Sequence, residues 1–161
     1  MNIRDATPAD VALIYQFIQK KSEFDRSVGA YSGILGTSPA KIQQTLFGPT
    51  SFAQVLLAEY HNQAIGFALY GFRYSSFAGQ PSIWLDDLFV EATQRSQGAG
   101  AALMAQLAQI AQSHNCAHLA WTADDRNPRG LQFYDRLGAA IIDRQGHRCY
   151  LQWMPSRPPA T

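Results

Sequence analysis

The chain has 161 residues, 47% of them apolar and 16% charged, and a formal net charge of +1. That length suits a single domain able to remove roughly 70% of its unfolded surface from water. The near-neutral charge selects neither nucleic acid nor an anionic membrane, and no segment approaches the ~20 apolar residues of a membrane span.

Asn2 to Arg4 predicts a short first strand, and Asp5 and Asp10 interrupt the place where a signal peptide would be apolar. Thr7-Pro8-Ala9-Asp10 starts a helix, with Thr as N-cap, Pro in the first turn and Asp at the positive end. Val11, Ile14, Tyr15, Phe17 and Ile18 recur at helical spacing and carry that helix to about Phe24. Residues 25–36 are rich in Ser and Gly and read as a loop. Ser38-Pro39 opens a second short helix, which ends near Phe47-Gly48-Pro49. Strands are then expected over Phe52 to Glu59, Ala64 to Tyr74 and Ile83 to Val90, broken at His61-Asn62 and at Gly79-Gln80-Pro81. The aromatic residues Phe67, Tyr70, Phe72 and Tyr74 read as sheet core.

A helix follows over Ala101 to Gln112, and Ala117 to Thr122 is the next strand. A helical crossover between these strands implies a parallel pair. Asn127-Pro128 starts a helix that runs to Leu137 and stops at Gly138. Ala139 to Ile142 and His147 to Trp153 form a last strand pair, apolar enough to need a partner within the chain or on a second copy. The fold class is therefore α/β, a mixed and mostly antiparallel central sheet flanked by helices. A single domain over residues 1–154 is expected, with 155–161 a proline-rich disordered tail. Cys116 and Cys149 read as reduced thiols of a cytoplasmic protein, and the four histidines lack ligand spacing, so no metal is expected.

Between the strand ending in Val90 and the following helix lies Arg95-Ser96-Gln97-Gly98-Ala99-Gly100. A strand, a glycine-bearing loop and a helix N-terminus direct bare N–H groups and a positive helix end at one spot, which suits a phosphate or pyrophosphate. No Gly-x-x-x-x-Gly-Lys-Ser/Thr string exists for a P-loop. A dinucleotide fingerprint lacks its third glycine and its ribose acid. Coenzyme A is the remaining reading, with the pantetheine beside the Ile83–Val90 strand.

An Arg/Gln-x-x-Gly-x-Gly/Ala loop after a strand ending in Phe-Val resembles the acetyl-CoA loop of the GNAT superfamily of N-acetyltransferases; here it is Arg95, Gly98 and Gly100. Asn127, Phe133-Tyr134 and Gly138-Ala139 match a second motif of that family. The strand Leu85-Asp86-Asp87-Leu88-Phe89-Val90 is similar to Leu-Glu-Asp-hydrophobic-Phe-Val in the spermidine/spermine and thialysine acetyltransferase branch. The resemblance spans nearly the whole chain. It implies the acyl-CoA N-acyltransferase fold, a homodimer, and acetyl-CoA held by Leu88, Phe89, Val90, Arg95, Ser96, Gln97, Gly98, Ala99, Gly100, Ala101, Asn127 and Tyr134.

Amine acetylation needs a proton acceptor, a stabiliser for the carbonyl oxygen and a donor for the departing thiolate. The resemblance makes Tyr134 that donor and Asp86 the base, with Asp86, Asp87 and Phe77 toward the substrate. Adjacent strand residues point to opposite faces, so one of the two acids is expected at the substrate. Asp86 is one methylene shorter than the family's Glu, which favours a water relay. Asn127 is a cofactor contact or simply a cap. Arg126 and Arg129 are phosphate contacts or surface residues. Ser75, Ser76 and Phe77 stand where the polyamine enzymes have an acid and a tryptophan, which favours a small mono- or diamine or an amino-acid-like amine over a polycation. The alternatives are a catalytically inactive acyl-CoA-binding module, a protein N-terminal or lysine acetyltransferase, and an acyltransferase for a hydroxyl or aminoglycoside acceptor.

Overall fold

The computed structural model describes residues 1–155. Its strands are β1 (Asn2–Asp5), β2 (Gln54–Tyr60), β3 (Gln63–Ser75), β4 (Gln80–Val90), β5 (Leu119–Asp124), β6 (Ala140–Gln145) and β7 (Arg148–Trp153). Its helices are α1 (Val11–Ser27), α2 (Pro39–Leu46), α3 (Ala99–Ser113) and α4 (Pro128–Leu137). The strands form one sheet in the order β1-β2-β3-β4-β5-β7-β6. All neighbours pair antiparallel except β4 and β5, which the α3 crossover makes parallel. The expected mixed, mostly antiparallel sheet flanked by helices is what the chain forms.

Each face of the sheet has its own core. On one side Leu103, Met104 and Leu107 of α3 pack on Leu56, Ala68, Ile83 and Leu119. On the other, Ile14 and Phe17 of α1 and Ile42 of α2 pack on Val55, Leu57, Phe67 and Phe89. The rings of Phe17 and Phe67 stack with centroids 5.5 Å apart. Burial of such side chains, each worth roughly 1.5–3 kcal/mol, holds the helices to the sheet. The last strand found its partner inside the chain: β7 lies between β5 and β6.

Four local expectations need correction. The first helix begins as a 3₁₀ turn over Pro8–Asp10 and continues to Ser27, about one turn past Phe24. Pro81 does not break the chain; it pairs with Tyr74 inside an extended β3–β4 hairpin. That hairpin runs past the core, so Phe72 and Tyr74 are exposed while Phe67 and Tyr70 are buried. Phe77 lies fully exposed in its turn. Of the tail, residues 156–161 lie outside the described residues. Cys116 and Cys149 are both free. Among the described residues no helix is long and apolar enough to cross a membrane.

Candidate active site

The parallel strands β4 and β5 pair only at Ile83 with Leu119 and at Trp84 with Ala120. Beyond that point β4 follows β3 and β5 follows β7, and a cleft of about 730 Å³ opens between them. The end of α1, the loop before α3, and α4 complete its walls. The N–H of Glu91 bonds the carbonyl of Ile65 on β3 at 2.8 Å. Alternation along the strand then turns the N–H groups of Leu88 and Val90 toward the cleft side. The Val90 carbonyl on that side accepts from Arg95 Nε at 3.1 Å.

The register of β4 against β3 slips where Leu69 faces Asp87 and Tyr70 faces Leu85, leaving Asp86 as an extra, bulged residue. The bulge inverts the parity of the strand. Ile83 and Leu85 face the α3 core before it, and Leu88 and Val90 do so after it. Strict alternation therefore does not carry through the acidic pair, and both Asp86 and Asp87 line the cleft.

The two glycines of the loop do different work. Gly98, at φ +84°, is the N-cap of α3, and a Cβ there would meet nothing within 4 Å. Among the described residues no side chain caps α3, and its first N–H groups have no intrahelical partner. A Cβ on Gly100 would instead lie 3.2 Å from the Phe133 ring, so this glycine lets α3 approach α4. Arg129 of α4 reaches Ser96 Oγ at 3.4 Å. Arg126 does not line the cleft and grips the carboxylate of Asp124 with two bonds of 2.8 Å. Asn127 caps α4 through a 3.1 Å bond from Gly130 N–H and also lines the cleft.

Of the residues singled out in the sequence, the cleft gathers Asp86, Asp87, Leu88, Phe89, Val90, Arg95, Ser96, Gly98, Ala99, Gly100, Ala101, Asn127 and Tyr134. Three, Arg126, Gln97 and Phe77, are not brought to it. Gln97 is exposed and bonds Gln94, and Phe77 stands at the hairpin tip. Phe89 contributes mainly to packing, with its ring 5.9 Å from that of Phe17.

In the same cleft Tyr134 packs 4.9 Å from the Trp121 ring and 5.2 Å from Phe133. Burial pushes its phenol above the usual value, and the carboxylates of Asp87 and Asp25 push the same way. Burial also raises the Asp87 carboxyl to about 6, against the Lys21 ammonium, which lies 3.7 Å from Oδ1 and pulls the other way. Asp86 and Asp25 add further upward pressure. Lys21 also bonds Asp25. Asp124, Asp125 and His147 bring ligand atoms within 4.8 Å of one another near the mouth, where Arg126 holds Asp124 and His147 holds Asp125 at 2.7 Å.

Lys21, Asp25 and Trp121 were missed in the sequence. Trp121 was concealed in an ordinary apolar strand, and nothing local separates it from core. Lys21 did carry a signal: it continues the apolar stripe of Ile14 and Phe17.

Comparison with known proteins settles the family. The model of the "Acetyltransferase (GNAT) family" matches residues 23–139. The chain belongs to the GNAT family of acetyltransferases. The thialysine N-epsilon-acetyltransferase of Bos taurus is 28% identical over 157 residues, covering 92% of this chain and 89% of that one. An integron cassette protein, VCH_CASS6, from the mobile metagenome of V. cholerae superposes with a TM-score of 0.69 at 26% identity, covering 98% of this chain and 93% of its own. An aminoglycoside acetyltransferase from an uncultured soil metagenomic sample shares the GNAT fold at a TM-score of 0.72 and 18% identity, over 91% and 92% of the two chains. The resemblance first carried by Arg95, Gly98, Gly100 and Tyr134 is thus a family membership.

Proposed function

We propose that this acetyltransferase moves the acetyl group of acetyl-CoA onto a primary amine of a small molecule, by direct attack while both substrates are bound. The observation that carries the reading is the unpaired edge of β4. The start of α3, Tyr134 and Asp87 line the same cleft beside it.

The residues present fit coenzyme A. The free N–H groups at the start of α3, the open space over Gly98 and the Arg129 guanidinium suit a pyrophosphate. The N–H groups of Leu88 and Val90 suit the amide and thioester carbonyls of an extended arm. When bound, acetyl-CoA supplies an activated acyl carbon and a thiolate leaving group.

The acceptor arrives as an ammonium ion, since an alkylamine titrates near ~10.4. Asp86, at the mouth, draws it in. Asp87 takes its proton directly or through one water, a transfer helped by a carboxyl raised to about 6. The neutral nitrogen then forms the new C–N bond while the N–H of Leu88 steadies the carbonyl oxygen. Tyr134 stays protonated across the working pH range because its pKa is raised, so it presents its O–H to the departing sulfur. The C–S bond breaks and the sulfur gains the Tyr134 proton; of the two protons the ammonium sheds in becoming an amide, the one held by Asp87 restores the phenol and the one left on nitrogen after the C–N bond forms passes to solvent.

Free-thiol release from acetyl-CoA with an amine panel is the direct test. Binding without turnover across the panel would leave an acyl-CoA-binding module instead. Acetyl-CoA at ~100 times its Kd is expected to stabilise the fold by about 2.7 kcal/mol in a melting experiment; no shift at saturation would refute the cofactor assignment. Gly98→Val is expected to raise the KM for acetyl-CoA about tenfold or more, because a branched side chain is strained at φ +84° and fills the open space over the loop. An unaltered KM would show that the pyrophosphate binds elsewhere.

A further inference from the structure

Lys21 stands where the pattern of α1 calls for an apolar side chain. It lies one turn beyond Phe17 and two beyond Ile14, both buried against the sheet. A lysine is seldom drawn under unless it is paired. Here the side chain is only 24% exposed, its ammonium bonds the Asp25 carboxylate, and it lies 3.7 Å from Asp87 Oδ1. All three residues line the cleft. A fixed positive charge is thus built into the acceptor end of the site, between the two carboxylates that a second substrate ammonium would seek.

We propose that Lys21 determines acceptor specificity: its ammonium fills the subsite between Asp25 and Asp87, so the acceptor is a primary amine whose remainder carries no net positive charge. This rests on the acetyl-transfer reading of the cleft. The reacting ammonium keeps access to Asp86 and to the Asp87 oxygen that Lys21 does not hold. A second ammonium on the same molecule meets Lys21, and then Arg136 and Arg148 further along the wall, as like charges. An amino-acid head, whose carboxylate cancels its own ammonium, meets no such repulsion. Diamines and polyamines do. The adjacent Lys20 shows that position and not mere charge matters: it is 48% exposed, pairs with Glu91 and does not line the cleft.

The experiment compares aminohexanol with diaminohexane, two acceptors of matched length that differ by one ammonium. Thiol release is followed in the wild type and in Lys21→Met, Lys21→Arg and Lys20→Met. The wild type is expected to favour aminohexanol by about tenfold in kcat/KM, allowing for the two equivalent ends of the diamine. Lys21→Met should abolish or reverse that preference, chiefly through a lower KM for the diamine. Lys21→Arg and Lys20→Met should keep it. A wild type that prefers the diamine overturns the proposal whether or not the Met variant folds. So does a Met variant that turns over with the preference unchanged. Absence of thiol release with any amine is a different result: it strikes the acetyl-transfer reading, and the specificity proposal falls with it.

Discussion

Replacing Asp87 with Asn is expected to lower kcat/KM by about 10²–10⁴-fold, the usual worth of a positioned general base. In the unmodified enzyme log kcat/KM should rise with unit slope at low pH and level off above about pH 6, where the Asp87 carboxyl becomes ionised. The sign follows from the role: the group accepts a proton, so it must first have lost its own. An alkylammonium acceptor keeps its charge to ~10.4, so it adds no limb in this range. The groups that set the position of the limb are Lys21 and Asp25 on α1 and Asp86 beside Asp87 on β4. Asp86→Asn should act mainly on the KM for the amine and keep the limb, moved to somewhat lower pH because the Asp86 charge that raises Asp87 is gone. If Asp86→Asn removes the limb and Asp87→Asn does not, the two carboxylates have been given the wrong roles.

Tyr134→Phe should reduce kcat by a similar factor, about 10²–10⁴-fold, while the Kd for acetyl-CoA stays within about twofold. Phenylalanine keeps the ring packing on Trp121 and Phe133, so the loss reports the hydroxyl and not the fold. The departing thiolate, near ~8.5 as a free thiol, would then have to leave unprotonated. Turnover equal to that of the parent enzyme would take the proton-donor role from Tyr134.

Much of this was legible in the sequence because the signals were local. Asn127-Pro128 and Gly138 bounded α4 to the residue, since a cap, a ring-fixed φ and a left-handed terminus each act within one turn. The loop at Arg95–Gly100 was readable through Gly98, whose φ of +84° is a demand of the backbone itself, while Gly100 answers to the Phe133 ring of α4. What failed was what depends on partners distant in sequence. The bulge at Asp86 comes from the register of β4 on β3, and no pattern in Leu85–Val90 announces it. Phe77 read as a pocket wall on its aromatic character, but the long β3–β4 hairpin carries it away from the cleft. Lys21 was concealed by habit: a lysine in a helix reads as solvent-facing until the opposite wall is known to carry a carboxylate.

The buried charge of Asp87 has a thermodynamic side. A carboxyl moved from 3.8 to about 6 is one the folded chain would keep neutral. Ionising it at neutral pH costs the native state about 3 kcal/mol relative to the unfolded chain. That cost is absent below about pH 4, grows as the pH rises, and is complete above about pH 6. The same Asn substitution that silences the enzyme should therefore raise its melting temperature at neutral pH and leave it nearly unchanged in acid. By this account Asp87 withdraws most stability at the pH where it is most useful, and a search at this position for hardier variants would drift toward inactive ones.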